Sequence, residues 1–247
     1  MYDSVHMYLT NESAPGIDML SEIPNYLDKP VFEDNGDYNL NIWFIRNLYS
    51  EAGKFDDIQL VFWKYKGTWN KQIYTCTTDP GKHYLLNPLT KYGTAIVRPG
   101  QYNGVFELGY HKGRKDHPAL VQRSPITVIR DFNKDINLDF SYDNYENLKV
   151  KSRPHSYNKV IDYQINNKTV FRTETGMMGI NNHRAHKNIV SKIVGKYSAG
   201  CLVQNYFHKY YDEFIPTIEK AKSIWGNSFT ATIVTEEDML KQLYAIK

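Results

Sequence analysis

Cys201 closes the run Ser198-Ala199-Gly200-Cys201, and His183 stands eighteen residues upstream across a basic, polar stretch. A thiol attacks an amide as the thiolate. It therefore needs a base within hydrogen-bond reach, a group that orients the base, and donors for the oxyanion. His183 is the candidate base and Cys201 the candidate nucleophile. Gly200 lets backbone approach a reacting carbonyl closely, so the amides of Gly200 and Cys201 are the candidate oxyanion hole. The spacing suffices for a strand end, a loop and the return to an adjacent strand, which would bring the two side chains together. Two other readings stay open. The thiol could be buried and structural, or it could bind zinc with His183 and His186. No second cysteine or placed carboxylate completes the zinc set.

The second cysteine, Cys76, lies in the strand-like run "IYTCTTDPG" and reads as a small buried residue. Two cysteines do not make a disulfide framework. The chain has 247 residues, enough to bury a sizeable core. Its 20 Tyr, 11 Phe and 4 Trp favour strands and surfaces that stack on sugars. A net charge of +3 without a basic stripe gives no case for nucleic acid, and none is expected as a partner. No apolar run is long enough to span a bilayer. The stretch "MYDSVHMYLTNESAPG" has neither a basic start nor an apolar core, so no signal peptide is expected and the protein is read as made in a cytoplasm.

The elements that must position the thiol are mostly strands. Residues 1–38 are polar and irregular and read as an N-terminal extension or arm. From residue 39 to the end one domain is expected. "NLNIWFIRN" predicts a strand. "DDIQLVFWKYKGTWNKQIYTCTT" predicts a hairpin turning at Lys66-Gly67. Asp79-Pro80-Gly81 predicts a bend, and two strands follow, broken at Pro99-Gly100. "ALVQRSPITVIRD" adds another pair, with Arg130 and Asp131 as a strand-end ion pair or turn. Residues 141–160 read as a polar loop insertion. Strands resume at "KVIDYQI" and "KTVFRTE", followed by a flexible "TGMMGIN". Apolar residues at helical spacing, among them Phe207, Tyr210 and Phe214, predict a helix kinked or divided by Pro216 and ended by Gly226. "SFTATIVT" predicts a late strand and "EEDMLKQLYAIK" a final helix capped by Thr235 with Asp238. The fold class expected is mixed β-rich α+β with helices gathered near the C-terminus.

His183, the linker and Ser-Xaa-Gly-Cys together resemble the L,D-transpeptidase (YkuD-like) catalytic domain. The match covers His183, Ser198, Gly200, Cys201 and Leu202, and "TTDPG" is similar to the turn before that family's core strands. A longer series, "TTDPG", "GTAIVRPGQY", "GYH", "ALVQ", "VIRDFNKD", "GINNHRA" and "SAGCLV", resembles bacteriophage endolysin-like peptidoglycan hydrolases over most of residues 41–210. Three positions depart from the transpeptidase pattern. Ala199 replaces a histidine, Arg184 a glycine, and Val203 an Arg or Asn.

The resemblance implies a curved β-sheet or sandwich with the dyad at its end. It implies a cysteine peptidase acting on stem or cross-bridge peptides of bacterial peptidoglycan, through an acyl-enzyme on Cys201 with His183 as base. The main-chain carbonyl of Arg184 would orient that base. Ser198 would hold the turn or the substrate, and Arg184 would bind a substrate carboxylate. Read from the residues alone, His111 and His117 are surface or satisfied histidines, or they line the groove, with His111 as a substrate-binding residue. His183 is expected about 3–4 Å from the thiol, with His186 turned away or out to solvent. No cofactor is implied. A phage enzyme would be made in the host bacterial cytoplasm and act at the cell wall, with other virion proteins as partners through the N-terminal arm. Two alternatives remain: a catalytically silent virion binding module on the same fold, and a zinc-dependent wall amidase.

Overall fold

The computed structural model describes residues 30–32, 36–138, 149–155 and 157–245. The arm read over 1–38 lies outside them apart from residues 30–32 and 36–38. Those few residues dock on strands and on a hairpin turn: the Pro30 carbonyl accepts from Gln101, the Phe32 amide donates to the Asn41 side chain, and the Lys66 amide in the turn donates to Asp37.

Thirteen strands dominate the described residues. They are β1 (Asn41–Arg46), β2 (Asp57–Tyr65), β3 (Thr68–Thr77), β4 (Thr94–Val97), β5 (Gly100–Tyr110), β6 (Pro118–Gln122), β7 (Ile126–Asp131), β8 (Lys149–His155), β9 (Asn158–Ile165), β10 (Lys168–Gly176), β11 (Asn182–Arg184), β12 (Leu202–Gln204) and β13 (Phe229–Thr235). Eight of them close a barrel in the order β1-β13-β5-β6-β11-β12-β3-β2. The other five form a separate sheet, β4-β7-β10-β9-β8. The β-rich class with a few helices agrees with the sequence. Barrel closure was not legible, because it rests on two parallel pairings of distant segments, β1 with β13 and β11 with β12.

Alternation along the strands explains the packing. On β1, Ile42 and Phe44 join the main core, while Trp43 and Ile45 face a second cluster with Leu60, Phe62 and Met239. A short helix, α1 (Lys82–Leu86), follows the Asp79-Pro80-Gly81 bend, and the final helix, α4 (Glu236–Ala245), follows β13 directly. Thr235 Oγ1 accepts from the Asp238 amide at 3.1 Å, as the sequence predicted for its cap. The β2–β3 hairpin turns at Lys66 and Gly67, both at positive φ.

The predicted helix before β13 runs as α2 (Phe207–Lys209), a wide π turn (Tyr210–Phe214) and α3 (Ile215–Trp225). Pro216 has no N–H for the carbonyl of the preceding turn, and the wide turn ends just before it. Tyr210 and Phe214 are fully buried in the main core.

The polar loop expected over 141–160 is corrected in part. Lys149–His155 forms an edge strand paired with β9, which already begins at Asn158. Pro154 is compatible with that assignment because β8 lies at the sheet edge. Residues 139–148 and 156 lie outside the described residues. Among the described residues, no helix is long and apolar enough to cross a membrane.

Candidate active site

The short parallel pair β11–β12 builds the site. Asn182 pairs with Leu202 and His183 with Val203. The Leu202 amide donates to the Asn181 carbonyl at 2.9 Å, which carries the register one residue back and sets Cys201 beside Asn181. Residues two apart on a strand share a face. His183, Asn181 and Cys201 therefore lie on one face of the pair. Asn182, on the other face, exchanges hydrogen bonds with Gln59.

The turn before the thiol is tightly specified. Ser198 Oγ donates to the Cys201 carbonyl at 2.8 Å and accepts from the Gly200 amide at 3.1 Å. Gly200 has φ +127°, and a Cβ there would lie 2.8 Å from both the Cβ and the carbonyl oxygen of Ala95. Only glycine meets both demands. The Ser198 carbonyl accepts from the Gly81 amide at 3.0 Å. A Cβ on Gly81 would lie 1.9 Å from the Gly195 carbonyl oxygen, so the "TTDPG" bend presses directly on the loop that carries Ser198. That bend is anchored in turn by buried charge, with Arg46 paired to Asp79 at 3.2 Å and Asp57 accepting from the Thr78 amide.

His183 is 2% exposed, and its Nδ1 lies 2.7 Å from the Arg184 carbonyl oxygen. A carbonyl only accepts, so Nδ1 carries the proton and Nε2 the lone pair. Nε2 is buried and has no hydrogen-bond partner. Burial, then the neighbouring His111, hold this imidazole well below its usual pKa, against the favourable Arg184 carbonyl. The resting ring is neutral and in the tautomer of a base.

No hydrogen bond joins His183 to Cys201. The thiol donates to the Gly179 carbonyl at 3.7 Å instead. Burial pushes the thiol pKa up, opposed by the backbone N–H of Asn181 and by Lys112. The resting pair is therefore imidazole and thiol, not the imidazolium–thiolate expected of a thiol with a depressed pKa.

Two adjoining cavities meet at this face. One, of about 360 Å³, is lined by Cys201, Asn181, Met178, Ala95 and Arg130. The other, of about 310 Å³, is lined by His183, His117 and His186. His111, Lys112, Lys196 and Tyr197 border both. His111 stacks on His183 with ring centroids 3.9 Å apart, and His117 sits 5.0 Å from His111 and 5.4 Å from His183.

Asn181 fixes the state of His111. Its Oδ1 accepts from the Gln122 amide, so its Nδ2 donates to His111 Nδ1 at 3.1 Å. His111 thus keeps its own N–H on Nε2. Burial first, then Lys112, Arg114 and Arg184, lower its pKa to about 4. Burial and Arg184 lower that of His117 to about 3.

The sequence-predicted residues fare differently. Arg184 is 2% exposed, and its guanidinium donates to Tyr211 Oη at 2.6 Å and to the carbonyls of Ala185 and Asp116. Those donors are committed to holding β11 against the Tyr-rich helix. The Gly200 amide is likewise engaged by Ser198. His186 lines the same cavity as His183, because β11 ends at Arg184 and releases the chain; it is half-exposed. Arg130 pairs at 2.8 Å with Glu174 on β10, across the sheet, where the sequence had suggested its neighbour. Cys76 is wholly buried in the main core, as read.

Comparison with protein-family models, curated proteins and solved structures finds no match to this chain.

Sequence reasoning missed Gln122, which holds the segment read as flexible. Its Oε1 accepts from the Met178 and Ile180 amides, both at 3.0 Å, and its Nε2 donates to the Gly176 carbonyl. It also missed Asn181, whose signal was present in the repeated asparagine of "GINNHRA". Among the described residues, the one set of three acidic, His or Cys side chains with ligating atoms within 4.8 Å of one another is Asp56, Asp57 and Asp79. His183, His186 and Cys201 do not converge in that way.

Proposed function

We propose that this chain is a thiol-dependent amide hydrolase of the L,D-transpeptidase type, acting on peptides of bacterial peptidoglycan. The observation that carries the reading is the protonation state of His183. Its Nδ1–H is committed to the Arg184 carbonyl, so a buried, unpartnered Nε2 lone pair is left on the face that bears Cys201. That tautomer supplies the lone pair a base needs, and because burial lowers the pKa of the ring and raises that of the thiol, the proton moves only together with attack by sulfur. The peptidoglycan substrate rests on the sequence resemblance, and the same holds for a phage origin.

The thiol must turn from the Gly179 carbonyl toward His183 as substrate enters. Apo sites are commonly loose in this way, and the bond tightens in the complex. His183 Nε2 then takes the thiol proton while sulfur attacks the amide carbonyl. The tetrahedral oxyanion is met by the Cys201 amide and by the Nε2–H of His111, which borders both cavities. Collapse expels the amine, which His183 protonates, and leaves an acyl-enzyme. Water, deprotonated by the same nitrogen, releases the acid. Ser198 holds the turn. Arg184 positions His183 through its carbonyl and holds β11 through its side chain.

The test is cleavage of purified peptidoglycan by the wild type, Cys201→Ala and His183→Gln, with fragments identified by mass. Loss of cleavage in both folded variants, with full activity in EDTA, is expected. Activity in Cys201→Ala would refute the reading. Loss on chelation restored by zinc would favour a metal amidase.

A further inference from the structure

We infer that the cavity on the His183 side is a carboxylate-binding subsite for the peptide substrate. Its border carries five cations, Lys112, Arg114, Arg184, Lys187 and Lys196, and no carboxylate lines it among the described residues. Arg114 is partly offset by Asp116 at 3.3 Å, and Arg184 is committed to Tyr211, so Lys112, Lys187 and Lys196 act most directly. All three are exposed and free to swing onto a ligand.

The interior is polar and unsatisfied. His117 is 4% exposed, yet neither of its ring nitrogens has a partner, and His183 Nε2 has none either. Buried polar atoms without partners are costly and call for an occupant. A neutral amide would satisfy the nitrogens but leave the cations unused. A divalent cation would meet a ring of like charge. An anion meets the charge of the lysines and accepts the single N–H of a neutral His117, while the lone pair on His183 Nε2 is left for the thiol proton. The volume of about 310 Å³ admits a carboxylate with a short stretch of backbone.

The identity of the anion as a peptide carboxylate rests on the peptidase reading. The cavity adjoins the one lined by Cys201, so a peptide whose scissile carbonyl lies at the thiol would place a nearby carboxylate here. The enzyme would then prefer bonds with a free carboxylate close to the cleaved amide. Peptides whose carboxylate is amidated would be poorer substrates.

The test uses the full chain with Cys201→Ala, so that binding is read without turnover. N-acetylglycine, N-acetylglycinamide and inorganic phosphate are titrated while the ring-proton resonances of His111, His117 and His183 are followed by NMR. N-acetylglycine should shift these resonances at millimolar concentration, and the amide should not. Lys187→Glu with Arg114→Glu should weaken the response by about tenfold or more, since two exposed cations become anions. Equal response to the amide, or none to N-acetylglycine, overturns the subsite. Response to phosphate alone overturns the carboxylate assignment. These outcomes are independent of wall cleavage, whose persistence in Cys201→Ala would instead overturn the peptidase reading.

Discussion

Replacing Gly200 by alanine should damage both the fold and the thiol's chemistry, and the structure sets the scale. The residue holds φ +127°, a region alanine enters only with strain of about 1–3 kcal/mol. The added Cβ would sit 2.8 Å from Ala95 Cβ, 2.8 Å from the Ala95 carbonyl oxygen and 3.1 Å from Ile180 Cδ1. Overpacking of this kind costs a further ~1–3 kcal/mol. The sum, on the order of 2–6 kcal/mol, is a large share of a domain's stability. Guanidinium unfolding measures it, with iodoacetamide labelling of Cys201 as the local readout. Gly200→Ala/Ala95→Gly should recover part of the loss, because it removes the Cβ overlap and leaves the carbonyl one. A Gly200→Ala protein within about 0.5 kcal/mol of the parent, with unchanged labelling, would refute the reasoning.

Other outcomes follow from the same geometry. Ser198→Ala should cost about 1–3 kcal/mol by freeing two hydrogen bonds of the turn, and it should slow turnover more than it weakens substrate binding, read as kcat against KM. In the native protein iodoacetamide should label Cys201 and spare the buried Cys76, with a rate that keeps climbing above pH 8 because burial raises the Cys201 pKa; a plateau below pH 7 would contradict the neutral resting pair. The site histidines bind protons more weakly folded than unfolded, His111 near 4 and His117 near 3, against an ordinary value of about 6.5. Their contribution to stability is therefore present above pH 6.5 and lost as pH falls from there toward 3. His117→Gln should flatten that part of the pH–stability curve, as followed by denaturant midpoints. Gln122→Ala should loosen residues 176–180, seen as faster amide exchange at Met178 and Ile180.

Local signals carried most of what the sequence disclosed. Runs of aromatic and β-branched residues marked β1, β2 and β13, Lys66-Gly67 marked a hairpin, and Thr235 with Asp238 marked a helix start, because each depends on residues close in sequence. The Pro216 disturbance and the "TTDPG" bend were legible for the same reason. Non-local pairing was not. Nothing in "NHR" or "LVQ" announces that β11 and β12 lie parallel, or that β1 meets β13 to close a barrel. At the site, His183, Gly200 and Cys201 were picked out from residue type and spacing, and Ser198 and the orienting Arg184 carbonyl from the resemblance. The committed Arg184 side chain was not, because its partner Tyr211 lies on a helix far along the chain. The stacking of His111 on His183 escaped notice for a similar reason: β5 and β11 are joined only through β6.

The central claim is that Cys201 attacks and His183 takes its proton. The most direct measurement is intact-protein mass spectrometry of the enzyme quenched in acid during turnover of a soluble disaccharide-peptide fragment of peptidoglycan, with peptide mapping of any adduct. The account predicts an acyl adduct on Cys201 that accumulates with wild type, forms far more slowly with His183→Gln, and is absent with Cys201→Ala. Cleavage of the fragment with no adduct at Cys201, and undiminished in Cys201→Ala, would contradict it.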